Sequence, residues 1–295
     1  MPNSGILLVD KPTDMTSHDL VNIVRKVFHT KKVGHNGTLD PDATGVMVLC
    51  INQATRLNEY LVADEKFYRA TIKFGQETDT QDISGEVTKK CEKPAVDIDG
   101  FKAVLASFIG VQDQTPPMYS AIKKDGKPLY KYAREGIDIG EIPKRQIEVL
   151  SIDCVSYTCD EAVIDVHCSK GTYIRTLCQD IARALGSCGC MAALRRMRVG
   201  AFEITSCHSV EAIKAAEFPY DLLLPMSQVV PFPKTVLSTE LILKDLMNGK
   251  KIPFEGIALL EPKEGQLCQA IYQDELIAIG RYEDKMFVPK KVFHL

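Results

Sequence analysis

Apolar positions along this chain fall into two kinds of segment. Ile6-Leu7-Leu8-Val9 reads as a short strand, and Val46-Met47-Val48-Leu49-Cys50 is an unbroken apolar run of strand length, the signature of a strand buried on both faces. Between them, Ser17 to His29 carries Leu20, Val21, Ile23, Val24, Val27 and Phe28 at amphipathic helical spacing, with Thr16 or Ser17 as the N-cap. Ala54 to Val62 is a second, shorter helix candidate. Lys66 to Phe74 alternates and is rich in strand formers. Residues 98–108 predict a helix that ends by Gly110, and Pro116-Pro117 rules out a helix interior or central strand just beyond it. Arg145 to Tyr157 and Glu161 to Cys168 pair as a hairpin. Gly171 breaks that pattern, Tyr173 to Leu185 returns to helical period until Gly186, and Met191 to Ile204 forms a strand pair about Gly200.

A boundary is expected at Val229-Val230-Pro231-Phe232-Pro233, separating residues 1–230 from a small unit at 231–295. That unit offers a helix at Thr239 to Met247 and strand-like runs around Ile257, Leu267 to Tyr272, Leu276 to Gly280 and Met286 to Val292, a spacing suited to a small barrel. No internal repeat or low-complexity tract appears. The pattern as a whole is α/β in the α+β sense.

Composition narrows the class. The 295 residues are 45% hydrophobic and 25% charged, with no tryptophan. No apolar stretch approaches the roughly 18 residues that cross a bilayer, and the first residues lack a basic n-region, so a cytoplasmic protein without membrane contact is expected. Among ten cysteines the closest pair is Cys188-Gly189-Cys190, and no Cys-x-x-Cys occurs. Reduced thiols and no bound metal are therefore expected. A net charge of −3 excludes a uniformly basic coat. Positive charge is local: Arg25, Lys26, Lys31 and Lys32; Lys123, Lys124, Lys127, Lys131 and Arg134 in a basic insertion at about 112–140; and Arg195, Arg196 and Arg198. Each cluster alone describes a solvated face; together they favour a basic groove.

The densest chemistry lies in Gly34-His35-Asn36-Gly37-Thr38-Leu39-Asp40-Pro41-Asp42-Ala43-Thr44-Gly45, which leads directly into the apolar run. Glycines permit close approach to a ligand, and Pro41 stiffens the loop beside Asp40. In isolation, Leu-Asp-Pro equally describes an Asx turn in which Asp40 only satisfies backbone amides. The whole run, however, resembles the catalytic motif of the bacterial TruB family of tRNA pseudouridine synthases, with each fixed position present. Asn36 stands where Thr or Gly is usual, and Asp42 where an apolar residue is usual. Asp42 places a second carboxylate near the loop. Further motifs recur in the family's order over about residues 4–210: Asp10-Lys11-Pro12, Thr16-Ser17-His18, Lys66-Phe67-Tyr68-Arg69, Thr78-Asp79-Thr80-Gln81-Asp82, Pro116 to Ala121, Tyr132 to Gly136, Cys168 to Thr176, and Ala193-Leu194-Arg195-Arg196.

The resemblance implies a mixed, largely antiparallel catalytic sheet flanked by helices, followed by a small β-rich C-terminal unit like the RNA-binding PUA module. It implies isomerisation of a uridine in the T-loop of tRNA, at position 55, with no cofactor, no obligatory protein partner and a monomeric enzyme. Asp40 would be the nucleophile, at C1′ of the sugar or C6 of the base. Arg175 would pair with it, with Asp82 on the far side. Tyr68 would lie against the uracil and remove the C5 proton. His35 would help fill the gap left by the extruded base. Tyr173 would meet the flipped nucleotide and Leu194 would wall it. Lys123, Lys124, Lys127, Arg134, Arg195 and Arg196 would contact phosphates. Alternatives are an RNA-guided relative that needs partner proteins, a non-catalytic RNA-binding or RNA-folding module and, more distantly, a small-molecule glycosidase.

Overall fold

The computed structural model describes residues 3–61, 63–254 and 262–293. Its centre is a ten-stranded mixed sheet. In chain order the strands used below are β1 (Gly5–Lys11), β2 (Val33–His35), β3 (Thr44–Ile51), β4 (Glu65–Phe74), β5 (Gly110–Gln114), β6 (Arg145–Tyr157), β7 (Glu161–Ser169) and β8 (Gly189–Val199). The pair His208–Ser209 edges the sheet beside β1, and the order continues β1-β3-β8-β4-β7-β6-β5. Two of its pairings are parallel, β1 with His208–Ser209 and β3 with β8; the rest are antiparallel.

Both faces of β1 and β3 are covered, which is why their sequences are continuously apolar. Leu7, Val9, Met47, Leu49 and Ile51 join the core under helix α1 (Ser17–Val27). Ile6, Leu8, Val46, Val48 and Cys50 point the other way, into a core shared with Met226, Val230, Ile271, Ile279 and Phe293 of the C-terminal part. Helix α1 begins at Thr16, whose side chain and that of Asp19 form a reciprocal capping box. Helices α2 (Ile98–Ala106), α3 (Leu129–Arg134) and α4 (Ile174–Ala184) follow. The helix expected from Ala54 is a 3-10 segment, Asn52–Tyr60, and Val62 lies outside the described residues.

Among the described residues, the C-terminal unit is a five-stranded sheet, ordered Lys234–Val236, Leu267–Tyr272, Glu275–Glu283, Met286–Val292 and Ile252–Pro253, with one helix, α5 (Glu240–Met247). The strand expected around Ile257 lies outside the described residues. Two hairpins turn through residue pairs with positive φ, Gln273-Asp274 and Asp284-Lys285, as two-residue turns of the primed kind require. Lys291 reaches the Glu59 carboxylate and the Tyr60 ring, joining this unit to the large sheet. Among the described residues no helix is long and apolar enough to cross a membrane.

Two expectations are corrected. Cys91 and Cys188 form a disulfide across 97 residues, whereas all thiols were expected to be reduced. Neighbour spacing could not reveal it: the pair meets because the Gly75 amide donates to the Cys188 carbonyl and the Cys91 amide to the Gly75 carbonyl. The basic insertion, whose positive run broken by Gly126 and Pro128 suits a mobile loop, is instead structured. Residues 112–114 belong to edge strand β5, Lys123–Lys124 pairs with Lys127–Pro128, and α3 is anchored by buried Leu129.

Candidate active site

A cleft of about 710 Å3 opens where the loop between β2 and β3 meets β4, β8 and the start of α4. The loop is fixed from beneath by three hydrogen-bonding side chains. Ser17 Oγ accepts from the Leu39 amide at 2.9 Å and donates to the Leu39 carbonyl at 3.0 Å. Buried Lys11 donates from Nζ to the Pro41 carbonyl at 2.9 Å and the Pro12 carbonyl at 2.8 Å. Arg196 donates to the Gly37 carbonyl at 3.2 Å and the Val46 carbonyl at 2.8 Å. Asn52 closes the base of β2 through Thr30 Oγ1. Gly45, at φ +107°, packs so closely on β8 that a Cβ there would sit 2.2 Å from the Arg196 carbonyl oxygen, so only glycine fits.

Asp40 projects into the cleft with 41% of its side chain exposed. Arg175 Nε lies 3.1 Å from one of its oxygens and Nη2 3.5 Å from the other. The guanidinium is otherwise enclosed: Nη2 donates to the Tyr119 carbonyl at 2.9 Å, Nη1 to the Thr80 carbonyl at 3.0 Å, and Asp82 lies 3.5 Å from Nη1. Partial burial pushes the Asp40 carboxyl above its ordinary range; Arg175 opposes that shift, while Asp82 and Asp42 reinforce it. Asp42 thus acts on Asp40 through its charge.

Tyr68 sits on β4 in the cleft wall with its ring largely buried. Burial raises its phenol, and the charge of Arg196, its direct partner across the β4–β8 ladder, works against that shift. Tyr173 and Leu194 also line the cleft, as do Lys66, Tyr119 and Arg134. His35 does not: it is half-buried on β2, two residues ahead of the first lining residue, Gly37, and burial with the nearby Arg196 charge lowers its pKa.

The expected phosphate contacts divide. Lys123 is exposed. Lys124 Nζ donates to the Ile139 carbonyl, and Lys127 pairs with Glu135 over the Tyr132 ring. Arg134 lies over the Tyr130 ring at 5.5 Å, on the cleft side. Arg195 is half-exposed and pairs with Asp10 at 2.7 Å. Arg196 corrects the expectation: it is 1% exposed, beneath the Asp40 loop, and is not available to a phosphate at the surface. Adjacent residues on a strand point to opposite faces, so Arg195 and Arg196 could not both face the same RNA.

One contributor escaped the sequence reading. Tyr173 occupies the N-cap of α4 with no capping side chain of its own. Buried Gln114, at the end of β5, grips its backbone twice: Oε1 accepts from the Tyr173 amide at 2.8 Å, and Nε2 donates to its carbonyl at 3.0 Å. Tyr173 is thereby fixed two residues ahead of Arg175. A pairing across 59 residues leaves no local signal.

A family model described as "TruB family pseudouridylate synthase (N terminal domain)" matches residues 25–174, and one described as "tRNA pseudouridylate synthase B C-terminal domain" matches residues 175–230. The chain is 43% identical over 285 residues to a tRNA pseudouridine synthase B of Alkaliphilus oremlandii, covering 95% of this chain and 94% of that one. It is 41% identical over 296 residues to a tRNA pseudouridine synthase B of Caldanaerobacter subterraneus subsp. tengcongensis, covering 99% and 100%. A chain in a solved Cbf5-Nop10-Gar1 complex superposes with a TM-score of 0.69 at 25% identity, over 98% of this chain and 84% of that one. An H/ACA RNP bound to a substrate RNA shares the fold, with a TM-score of 0.72 at 23% identity, over 99% and 86%.

Proposed function

This chain belongs to the TruB family of tRNA pseudouridine synthases, which are isomerases, and from that premise we propose that it converts the uridine at position 55 in the T-loop of tRNA to pseudouridine without a guide RNA. One observation carries the site assignment: Asp40 reaches into the cleft while a buried arginine holds it at 3.1 Å. Residues 1–230 form the catalytic part in this reading, and residues 231–295 a PUA-like RNA-binding unit. The enzyme works as a cytoplasmic monomer with no obligatory protein partner.

The reaction breaks the C1′–N1 bond and joins C1′ to C5 of the same base. Uridine and pseudouridine differ by one C–H exchanged for one N–H, so no oxidant, reductant or cofactor is needed. The target base leaves the RNA stack for the cleft, an extrusion that costs a few kcal/mol. A volume of about 710 Å3 has room for a nucleoside. Asp40 attacks C1′ or C6, and either route requires an ionised carboxylate against the flipped nucleoside. Arg175 supplies the opposing charge that keeps it ionised. Tyr68 takes the C5 proton, Tyr173 and Leu194 hold the base, and His35 supports the loop near the vacated position in the RNA. Lys123 and Arg134, on the insertion beside the cleft, meet phosphates.

Incubating the purified protein with an unmodified tRNA transcript, then mapping pseudouridine, tests the assignment. Product at position 55 with nothing else added is expected. Product only on addition of a guide RNA would favour the RNA-guided alternative, and binding without product would favour an RNA-folding module.

A further inference from the structure

Arg196 heads the largest fully buried side chains, and the mechanism above gives it no task beyond holding the loop. Among the described residues it takes part in no ion pair. Its donors go to the carbonyls of Val46 and Gly37 and to the Met47 sulfur at 3.1 Å, and Tyr68 is its direct partner across the β4–β8 ladder, both side chains lining the cleft. Burying an uncompensated cation costs several kcal/mol. Two carbonyls and a thioether do not require a full charge; a neutral amide could donate to them. The charge is needed where negative charge arises. The charged and titratable groups near enough to act on the Tyr68 hydroxyl are Arg196 from β8, Cys168 from β7 and Asp40 from the loop. Cys168, Asp40 and burial all disfavour a phenolate, and Arg196 alone favours it. Lys66, two positions away on β4, lines the cleft and is itself depressed by burial and by Arg196.

We propose that Arg196 is a positioning residue for proton removal: its buried guanidinium, on the strand position directly opposite Tyr68, stabilises the phenolate that accepts the C5 proton. The inference rests on the reading of Tyr68 as that acceptor. In the step, an O–H bond forms at Tyr68 as the C5–H bond breaks, and the C–H electron pair stays in the ring. The proton lost at C5 is balanced by the one N1 gains, so Tyr68 returns to its starting form with no external reagent. The same guanidinium holds the Gly37 and Val46 carbonyls on either side of Asp40. Nucleophile loop and proton acceptor are therefore referenced to one rigid group.

The test is the ionisation of Tyr68 itself, read as the tyrosinate absorbance difference between each protein and its Tyr68→Phe counterpart. Arg196→Met and Arg196→Gln remove the charge. In either, the Tyr68 titration should move up by at least about one pH unit, and the single-turnover rate near neutrality should fall at least about tenfold, because an opposite charge in contact shifts a pKa by one to three units. Arg196→Lys keeps the charge and should leave the titration within about half a unit of wild type. An unmoved titration in a folded neutral variant overturns the proposal and makes Arg196 purely structural. If neither neutral variant folds, the lysine variant decides: a rise of more than about one unit despite the retained charge overturns the proposal equally. Failure of the underlying reading looks different, because Tyr68→Phe alone would then form product at the wild-type rate.

Discussion

Arg175 and Arg196 in the cleft wall, and Lys123 to Arg134 on the insertion, are both cationic clusters, yet they are built in opposite ways. Both arginines are buried among backbone carbonyls, Arg175 also beside the Asp40 and Asp82 carboxylates, and each holds part of the Asp40 site in place. The insertion carries its charge on a short hairpin and a helix of six residues, where several cations already have partners such as Glu135, Tyr132 and Tyr130. Burial raises the energetic stakes of a charge, since losing one partner inside the protein costs about 3–5 kcal/mol against at most about 1 kcal/mol at the surface. The buried cations should therefore govern rate, and the surface cations affinity and its salt dependence.

The sharpest break in that division is predicted at Asp40. Asp40→Asn keeps shape but removes the carboxylate, and single-turnover pseudouridine formation should fall at least about a thousandfold, or about 4 kcal/mol. The tRNA dissociation constant, measured alongside, should stay within about threefold of wild type. Tyr68→Phe should lower product formation by about a hundredfold or more, in the range of a lost proton-transfer group. If the hydroxyl acts late, cleavage of the base from the sugar persists in this variant. Near-normal product yield would remove Tyr68 from the proton-transfer role.

Gln114→Met preserves volume but lets go of the Tyr173 backbone. Its expected cost is about tenfold in the single-turnover rate with little change in affinity, because displacement of a positioning group is felt in the rate. Affinity measurements on the same variant check the split. The pH profile sharpens the comparison further. Burial raises the Asp40 carboxyl, so the protonated, inactive form should persist above the ordinary carboxylate range, and activity should fall as pH drops through that raised value. Arg175→Met removes the group that opposes the shift, so the acid limb of the rate profile should move to higher pH. An unmoved limb would detach Arg175 from Asp40.

The smallest effect is expected at the surface. Reversing Lys123 and Lys127 to Glu should weaken tRNA binding and flatten its salt dependence, since fewer counterions are released. Lys127 already pairs with Glu135, so Lys123 should carry most of the change. Binding over a salt series checks this. An unchanged slope would make the insertion an ordinary solvated face.

Legibility in the sequence followed the range of the interaction. Local pattern announced β1, β3, α1 and the long hairpin of β6 with β7, because strand alternation and capping act within a few residues. The loop around Asp40 was legible as a motif. Arg175, 135 residues away, came through resemblance and then proved to lie against it. What pattern could not supply were pairings made by tertiary folding: Gln114 with Tyr173, Cys91 with Cys188, and the close packing of Gly45 on the Arg196 backbone. Arg195 and Arg196 looked alike in sequence because composition carries no face; their alternation on β8 separates them.

The central claim, that one T-loop uridine is isomerised in the Asp40 cleft, is tested most directly by tritium release. A tRNA transcript labelled at C5 of its uridines is mixed with excess protein and no other macromolecule. The expected result is one equivalent of tritium released per tRNA by the wild-type protein, and none from a transcript whose position 55 is cytidine. Release from the cytidine transcript, or none from its parent, would contradict the account.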